Sequence, residues 1–337
     1  MSWRSYVSLT KPRVVVLLQI TALCAVLVHD RMYKQLGIET AETMLIVFVG
    51  GYLSAGGANA INMWYDRDID PLMTRTESRA IPSGEVSAES ALALGVLLSI
   101  AGVSWFWMLS NEVAAFWSAF SILFYVFVYS IWLKRSTPQN IVIGGIAGST
   151  PPVIGWAAAE DGLTVVTDSA QIMLESLIDL GSPMPWFMFL LIFLWTPPHF
   201  WALALYRSEE YGRVGVPMMP NVKGPERTLR EMKIYTIILL LLSMNVPSYH
   251  ELTESNAFYF ILVGNVTLLS LWYANSVWKI DLEEERDETG RIPTAARSFF
   301  ISMLYLALMF VVLVTASFGV TGAVLGAGIS LFAILRS

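Results

Sequence analysis

"INMWYDRDIDPLMTRTESRAIPSG", residues 61–84, sets an amide, three aspartates and three arginines between two long apolar runs. Asn62, Asp66 and Asp70 are spaced four apart. On a helix, residues so spaced share one face, with roughly 5–6 Å between neighbouring Cβ atoms. If the preceding apolar helix continues for two turns, to Pro71, it presents an amide and two carboxylates in one line at its polar end. Carboxylates at a membrane edge are costly unless they face water, a cation or a polar cavity. Mg²⁺ suits them, because it takes hard oxygen ligands and is usually held by one or two carboxylates plus substrate phosphates. Lys11, Arg67, Arg75 and Arg79 can bind phosphate oxygens, the arginines with a two-pronged fork. This combination predicts a magnesium–diphosphate site. Just upstream, "SAGGANAIN" adds Asn59 at membrane depth, and Gly50, Gly51, Gly56 and Gly57 are expected to let a neighbouring helix approach closely.

The rest of the chain agrees with a membrane setting. Its 337 residues are 55% hydrophobic and 14% charged, with a mean hydropathy of +0.58; soluble domains carry roughly 25% charged residues. Apolar runs predict an all-α polytopic bundle with nine spanning helices, at roughly 12–28, 44–63, 89–109, 113–133, 140–158, 186–205, 233–250, 257–277 and 298–318. The Gly-rich tail 319–335 is left open between a tenth span and a re-entrant segment. No composition shift divides the chain, so residues 1–337 read as one integral-membrane domain. Eighteen of the 21 basic residues fall on alternate connections. Positive charge resists translocation, which puts the N-terminus and the charged loops 62–88 and 206–232 on the cytoplasmic side. The opposite connection, 159–185, has five acids and no base, and its amphipathic centre reads as a structural lid. His29 and His250 fall at that edge and are expected to be surface residues. The lone Cys24 excludes an internal disulfide and any Cys-based metal site. The opening "MSWRSYVSLTKPR" lacks the pattern of a transit peptide or a cleavage site.

A second charged loop follows the sixth span, "LWTPPHFWALALYRSEEYGRVGVPMMPNVKG", residues 194–224. It carries Arg207 and Lys223 on the same membrane face as the first cluster. Two such loops can close over a polar head whose tail lies in the bilayer, which suits a lipid diphosphate. Pro197 and Pro198 are expected to unwind the sixth helix, a distortion tolerated mainly at cavities.

Four motifs occur in order and on consistent membrane faces: "NMWYDRDIDPLMTRT", "LKRSTPQNIVIGGIAG", "FLWTPPHFWALALYR" and "EEYGRVGVPMMPNVKG", with "LTKPRVV" before them. Together they resemble the heme O synthases (protoheme IX farnesyltransferases), a family of the UbiA-type intramembrane prenyltransferases. The resemblance implies a helical bundle around a central cavity in a prokaryotic inner membrane. It also implies transfer of a farnesyl group from farnesyl diphosphate to a vinyl group of heme b, with addition of water, to give heme O and diphosphate. Mg²⁺ would be the cofactor and heme b a substrate. Heme A synthase or terminal-oxidase assembly would be further partners; nothing points to nucleic acid.

In that reading Asn62, Asp66 and Asp70 are catalytic and hold the metal. Glu210, standing where the family usually has an aspartate, is a further metal ligand. Lys11, Arg67, Arg75, Arg79, Arg207 and Lys223 bind diphosphate. The allylic cation needs a dry, aromatic chamber, for which Trp64, Tyr65, Trp195, Phe200 and Trp201 are candidates. His199, an ionisable group inside a span, is a functional candidate; iron ligation, contact with a propionate and a structural hydrogen bond are all open. "STPQN", residues 136–140, offers a helix cap or a head-group contact. The alternatives are a prenyltransferase of the same fold with another aromatic acceptor, a transporter, and a non-catalytic heme carrier. The first lacks the motif "TPPHFWALALYR". A transporter would place charge on both faces, and a carrier would need no Asn–Asp–Asp ladder.

Overall fold

Apolar stretches punctuated by Pro, Gly and capping side chains make this chain helical from end to end. A computed structural model describes residues 2–74, 76–206, 215–249, 256–287 and 292–336. A short helix, α1 (Trp3–Leu9), leads into α2 (Pro12–Tyr33), α3 (Ile38–Tyr65), α4 (Ala88–Leu109) and α5 (Glu112–Leu123). From α5 the chain passes without a break into a π-helix, Phe124–Leu133. Then come α6 (Asn140–Ser149), α7 (Pro151–Ala159), α8 (Ala170–Ile178) and α9 (Met184–Tyr206). The last five are α10 (Met219–Lys223), α11 (Pro225–Ser243), α12 (Asn256–Trp278), α13 (Pro293–Ala316) and α14 (Gly319–Arg336). Ser87 and Asn111 cap α4 and α5 by accepting from Ser90 N and Ala114 N, which satisfies N–H groups that a helix start leaves unpaired.

Among the described residues, nine helices are long and apolar enough to cross a membrane. Large apolar side chains such as Leu97, Trp107, Phe260 and Phe300 face outward, as lipid-facing residues do. The protein is an integral membrane protein. The structure decides one point that the sequence leaves open and shifts another. The tail is a full helix, α14, which packs back on α13 and α12. The expected span 233–250 is instead α11, which begins eight residues earlier, on charged turns that sequence hydropathy rejects. It still runs the length of the bundle: it starts beside α10, and Val246–Ser248 beyond it shares a cleft with Met32 and Tyr33 at the opposite end.

The glycines do what their positions predict. A Cβ on Gly57 would lie 2.7 Å from Ser99 N and 2.8 Å from Gly95 O, and one on Gly102 would lie 2.7 Å from Ser54 N. The α3 and α4 backbones therefore touch, which only glycine permits. Pro197 and Pro198 sit inside an unbroken α9 rather than unwinding it. Flanking helices α6, α11 and α13 pack along it, and Thr196 donates its hydroxyl to Ile192 O at 2.8 Å.

At the end away from the charged loops, α8 is stapled to the bundle by three indoles. Trp117, Trp186 and Trp156 donate to the carbonyls of Leu177, Ile178 and Leu180 at 2.9, 2.9 and 3.1 Å. These carbonyls lie at or just past a helix C-terminus, where backbone acceptors lack intrahelical partners. His29 is not a surface residue as expected: it is 1% exposed, with Asp30 Oδ1 2.8 Å from Nδ1 and Glu160 Oε2 2.9 Å from Nε2. The sequence hides this because Glu160 comes from a distant connection. His250 lies outside the described residues.

Candidate active site

The α3 helix ends at Tyr65, and the chain continues as two short 3₁₀ turns, Asp66–Asp68 and Asp70–Leu72. The two further α-turns expected from sequence are thus replaced by tighter ones, with Pro71 already inside the second. The outcome for the side chains is nonetheless close to the expectation. Asn62, Asp66 and Asp70 are 3%, 0% and 2% exposed, so an amide and two carboxylates are buried together at one end of the bundle. Asn62 Nδ2 donates to Asp66 Oδ2 at 3.0 Å.

Basic residues from three segments close on this row. Lys11 caps α2 with a left-handed backbone, φ 51°, a strain costing about 1–3 kcal/mol in a non-glycine residue. Lys11 Nζ donates to Asn62 Oδ1 at 2.8 Å. Burial, with the nearby charges of Arg79 and Lys134, pulls the Lys11 ammonium down to about 7, against the opposing pull of Asp66 and Asp70. Lys134, just past the π-helix, pairs with Asp66 Oδ2. Arg79 Nη1 lies 2.8 Å from both oxygens of Asp70.

The π-helix is the device that brings Lys134 here. Its wider turn lets Ser130 donate to Tyr125 O, five residues back, at 2.9 Å, while Ser130 Oγ accepts from Asn62 Nδ2 at 3.0 Å. Such turns often mark functional segments. Arg135, one residue further, pairs with the exposed Asp68 through Nη1 at 2.6 Å and Nη2 at 2.7 Å. That hydrogen-bonded carboxylate holds the guanidinium above its ordinary value.

One atom in this knot stands out. Asp66 Oδ1 is buried and accepts no hydrogen bond; Arg135 Nη2 is 3.7 Å away. An orphaned carboxylate oxygen in a buried site is costly and is what a hard cation would satisfy. Among the described residues no three acids or histidines converge on a metal position. From the described residues a metal here would therefore draw at most the amide and two carboxylates, the substrate's oxygens completing the set, as Mg²⁺ commonly does.

Not every expected residue joins. Arg67 is exposed; it stacks on Trp64, with Cζ 4.9 Å from the ring centroid, and donates to Trp64 O. It faces away from the buried row because it falls between Asp66 and Asp70 on the turn. Lys223 ends α10 and is exposed. The second loop nevertheless shares a small core with the first: Ile69 packs against a cluster of Ile141, Ala204, Val216 and Met218, and Asn140 Nδ2, at the start of α6, donates to Pro217 O at 3.5 Å. Arg75, Arg207 and Glu210 lie outside the described residues. Sequence reasoning counted Lys134 only as a basic loop residue and passed over Ser130. Their place in or beside the motif "LKRSTPQN", rather than any spacing, was the available signal.

His199 lies inside α9, seven residues before its end, so roughly 10 Å below it. Its ring stacks between Trp195 (centroids 4.2 Å, 20°) and Phe299 (4.7 Å, 23°), with Phe200 edge-on at 5.0 Å. Trp201 does not share this group. Two residues on, it faces the other side of α9, fully buried against Tyr235 at 5.7 Å.

A family model described as the UbiA prenyltransferase family matches residues 18–292. The chain belongs to the UbiA prenyltransferase family. Relatives named protoheme IX farnesyltransferase include one from Bartonella henselae, 39% identical over 317 residues, covering 93% of this chain and 90% of that protein. Another, from Parvibaculum lavamentivorans, is 42% identical over 309 residues and covers 92% and 87%. Solved structures share the fold at lower identity. One, from a study of digeranylgeranylglyceryl phosphate synthase, has a TM-score of 0.69 at 16% identity, covering 94% of this chain and 98% of that one. A UbiA homologue from Archaeoglobus fulgidus bound to DMAPP and Mg²⁺ has a TM-score of 0.59 at 17% identity, covering 92% and 99%. The UbiA fold is thus common to both, and the buried Asn62–Asp66–Asp70 row is where this member concentrates its charge.

Proposed function

We propose that this protein transfers a farnesyl group from farnesyl diphosphate to a vinyl group of heme b, at the cytoplasmic end of the bundle. The observation that carries the chemistry is the buried knot of Lys11, Asn62, Asp66 and Lys134 with its orphaned carboxylate oxygen. The choice of substrates is supported by relatives about 40% identical along nine-tenths of the chain, which are protoheme IX farnesyltransferases by name. The cytoplasmic side of the N-terminus and of the site is supported by the basic residues that crowd the alternate connections.

Bound with the diphosphate, Mg²⁺ supplies Lewis-acid neutralisation of the leaving oxygens. Asn62, Asp66 and Asp70 would hold it, Glu210 of the second loop would be a further ligand, and Arg79 fixes the Asp70 carboxylate. Lys11 and Lys134 place preorganised positive charge where negative charge develops as the allylic C–O bond breaks; Arg75 and Arg207 would extend that field. The vinyl carbon of heme attacks the farnesyl carbon, and diphosphate departs. Water then adds to the cation beside the porphyrin and loses a proton, leaving the hydroxyl of heme O. Trp195, His199 and Phe200 wall the acceptor side and keep bulk water from the first cation. Heme O passes on to heme A synthase or to a terminal oxidase.

The test incubates purified protein with heme b, farnesyl diphosphate and Mg²⁺ and looks for a heme of increased mass. Product should appear with the metal, vanish with a chelator, and vanish in Asp66→Ala and Asp70→Ala. Wild-type yield from both variants would remove the site.

A further inference from the structure

With both faces of the His199 ring covered by Trp195 and Phe299, the imidazole can act only through its edge, by Nδ1 or Nε2. Nδ1 lies 2.6 Å from Ser302 Oγ, on α13. Ser302 Oγ is itself 2.6 Å from Phe299 O. A carbonyl has no proton to give, so the hydroxyl proton points at Phe299 and Ser302 can only accept from the histidine. Nδ1 therefore carries the imidazole proton. Trp195 Nε1 donates to Ser302 O at 2.8 Å, which ties the stacked indole to the same residue and locks the ring in place.

What remains is Nε2. Among the described residues no hydrogen bond reaches it, and unlike Trp201 Nε1 it is not a fully buried unpaired atom, so this edge of the ring stays accessible. A doubly protonated ring would leave an N–H donor unmet at this edge. The neutral ring instead presents a bare lone pair on a rigid edge. Ligand histidines have this arrangement: the second ring N–H is fixed by an acceptor, which sets the tautomer and the orientation of the coordinating nitrogen. The other described histidine, His29, has both nitrogens engaged by carboxylates.

We propose that His199 Nε2 is the axial ligand of the iron in the porphyrin substrate. The inference rests on the heme reading above and goes past it: the site recognises the metal as well as the ring. Ligation to a nitrogen locked by Ser302 and Trp195 fixes the height and tilt of the macrocycle, and so where its vinyl groups sit relative to the charged end.

The test compares ferric heme b with iron-free protoporphyrin IX on the purified full chain. The wild type should bind heme at least about tenfold more tightly, a difference of about 1.4 kcal/mol, and its heme spectrum should be that of a nitrogen-ligated iron. In His199→Ala the two porphyrins should bind equally, and added imidazole should restore the spectrum. Equal binding by the wild type, or a wild-type heme spectrum in His199→Ala, overturns the proposal. If His199→Ala does not fold, ¹⁵N-histidine labelling of the wild type replaces it; hyperfine coupling from a histidine nitrogen to the ferric iron supports ligation, and its absence overturns it. Farnesylation of heme b without any preference for iron would sink the ligation alone. No farnesylated product from heme b would sink the functional reading itself.

Discussion

Ser130 Oγ accepts from Asn62 Nδ2 at 3.0 Å while donating to the Tyr125 carbonyl five residues back. Together with Lys11 and Asp66, it leaves the Asn62 amide one orientation, Oδ1 toward the ammonium and Nδ2 toward the acids. Ser130→Ala should therefore lower kcat/KM by about tenfold, or about 1.4 kcal/mol, mostly by loosening the amide. The loss of one hydrogen bond should cost only about 1 kcal/mol of stability. Steady-state kinetics beside a thermal melt checks both; unchanged kinetics would show that the amide needs no such brace.

The Lys11 ammonium, held down to about 7, is lost as pH rises through that value. Affinity for prenyl diphosphate should fall on the alkaline side, with KM rising several-fold from about pH 6 to about pH 8. Lys11→Met should start with a high KM and lose this slope. A slope that survives in Lys11→Met assigns it to another group.

Arg79 is the sole ion-pair partner of the buried Asp70 carboxylate among the described residues. Removing one member of such a pair strands a buried charge, typically at a cost of about 3–5 kcal/mol. Arg79→Met should thus unfold at markedly lower temperature, and adding Asp70→Asn should recover part of the loss. A melt unchanged by Arg79→Met would show that Asp70 finds solvent without it.

Each indole that caps the end of α8 contributes one backbone hydrogen bond. Replacing Trp117 or Trp186 by Phe keeps much of the packing and removes the N–H. Near about 1 kcal/mol per bond, amide exchange across residues 170–180 should speed up about fivefold in each variant. Exchange that is not faster would mean that ring contacts alone hold the helix.

The sequence shows the bundle plainly, because twenty-residue apolar runs and glycine contacts are local and periodic. It shows the Asn62–Asp66–Asp70 row for the same reason: a spacing of four survives even when the α-helix gives way to 3₁₀ turns. Lys134 was less visible. Its approach depends on a π-helical register that no spacing rule encodes, and its partner is 68 residues away. Ser302 was invisible for a related reason, being one hydroxyl in an apolar run whose meaning comes only from facing His199. Arg67 misled in the opposite direction, since its charge belongs to the cluster in sequence but its turn points it at Trp64.

Because α14 is a complete helix rather than a re-entrant tail, it joins α2, α3, α4, α5 with its π-extension, α6 with α7, α9, α12 and α13 as the nine described helices apolar enough to cross. If α11, which runs the length of the bundle, crosses as a tenth, Trp3 and Arg336 should emerge in the same compartment. Reporters fused ahead of one and behind the other should give matching signals, and a mismatch would mean that one of these helices fails to cross.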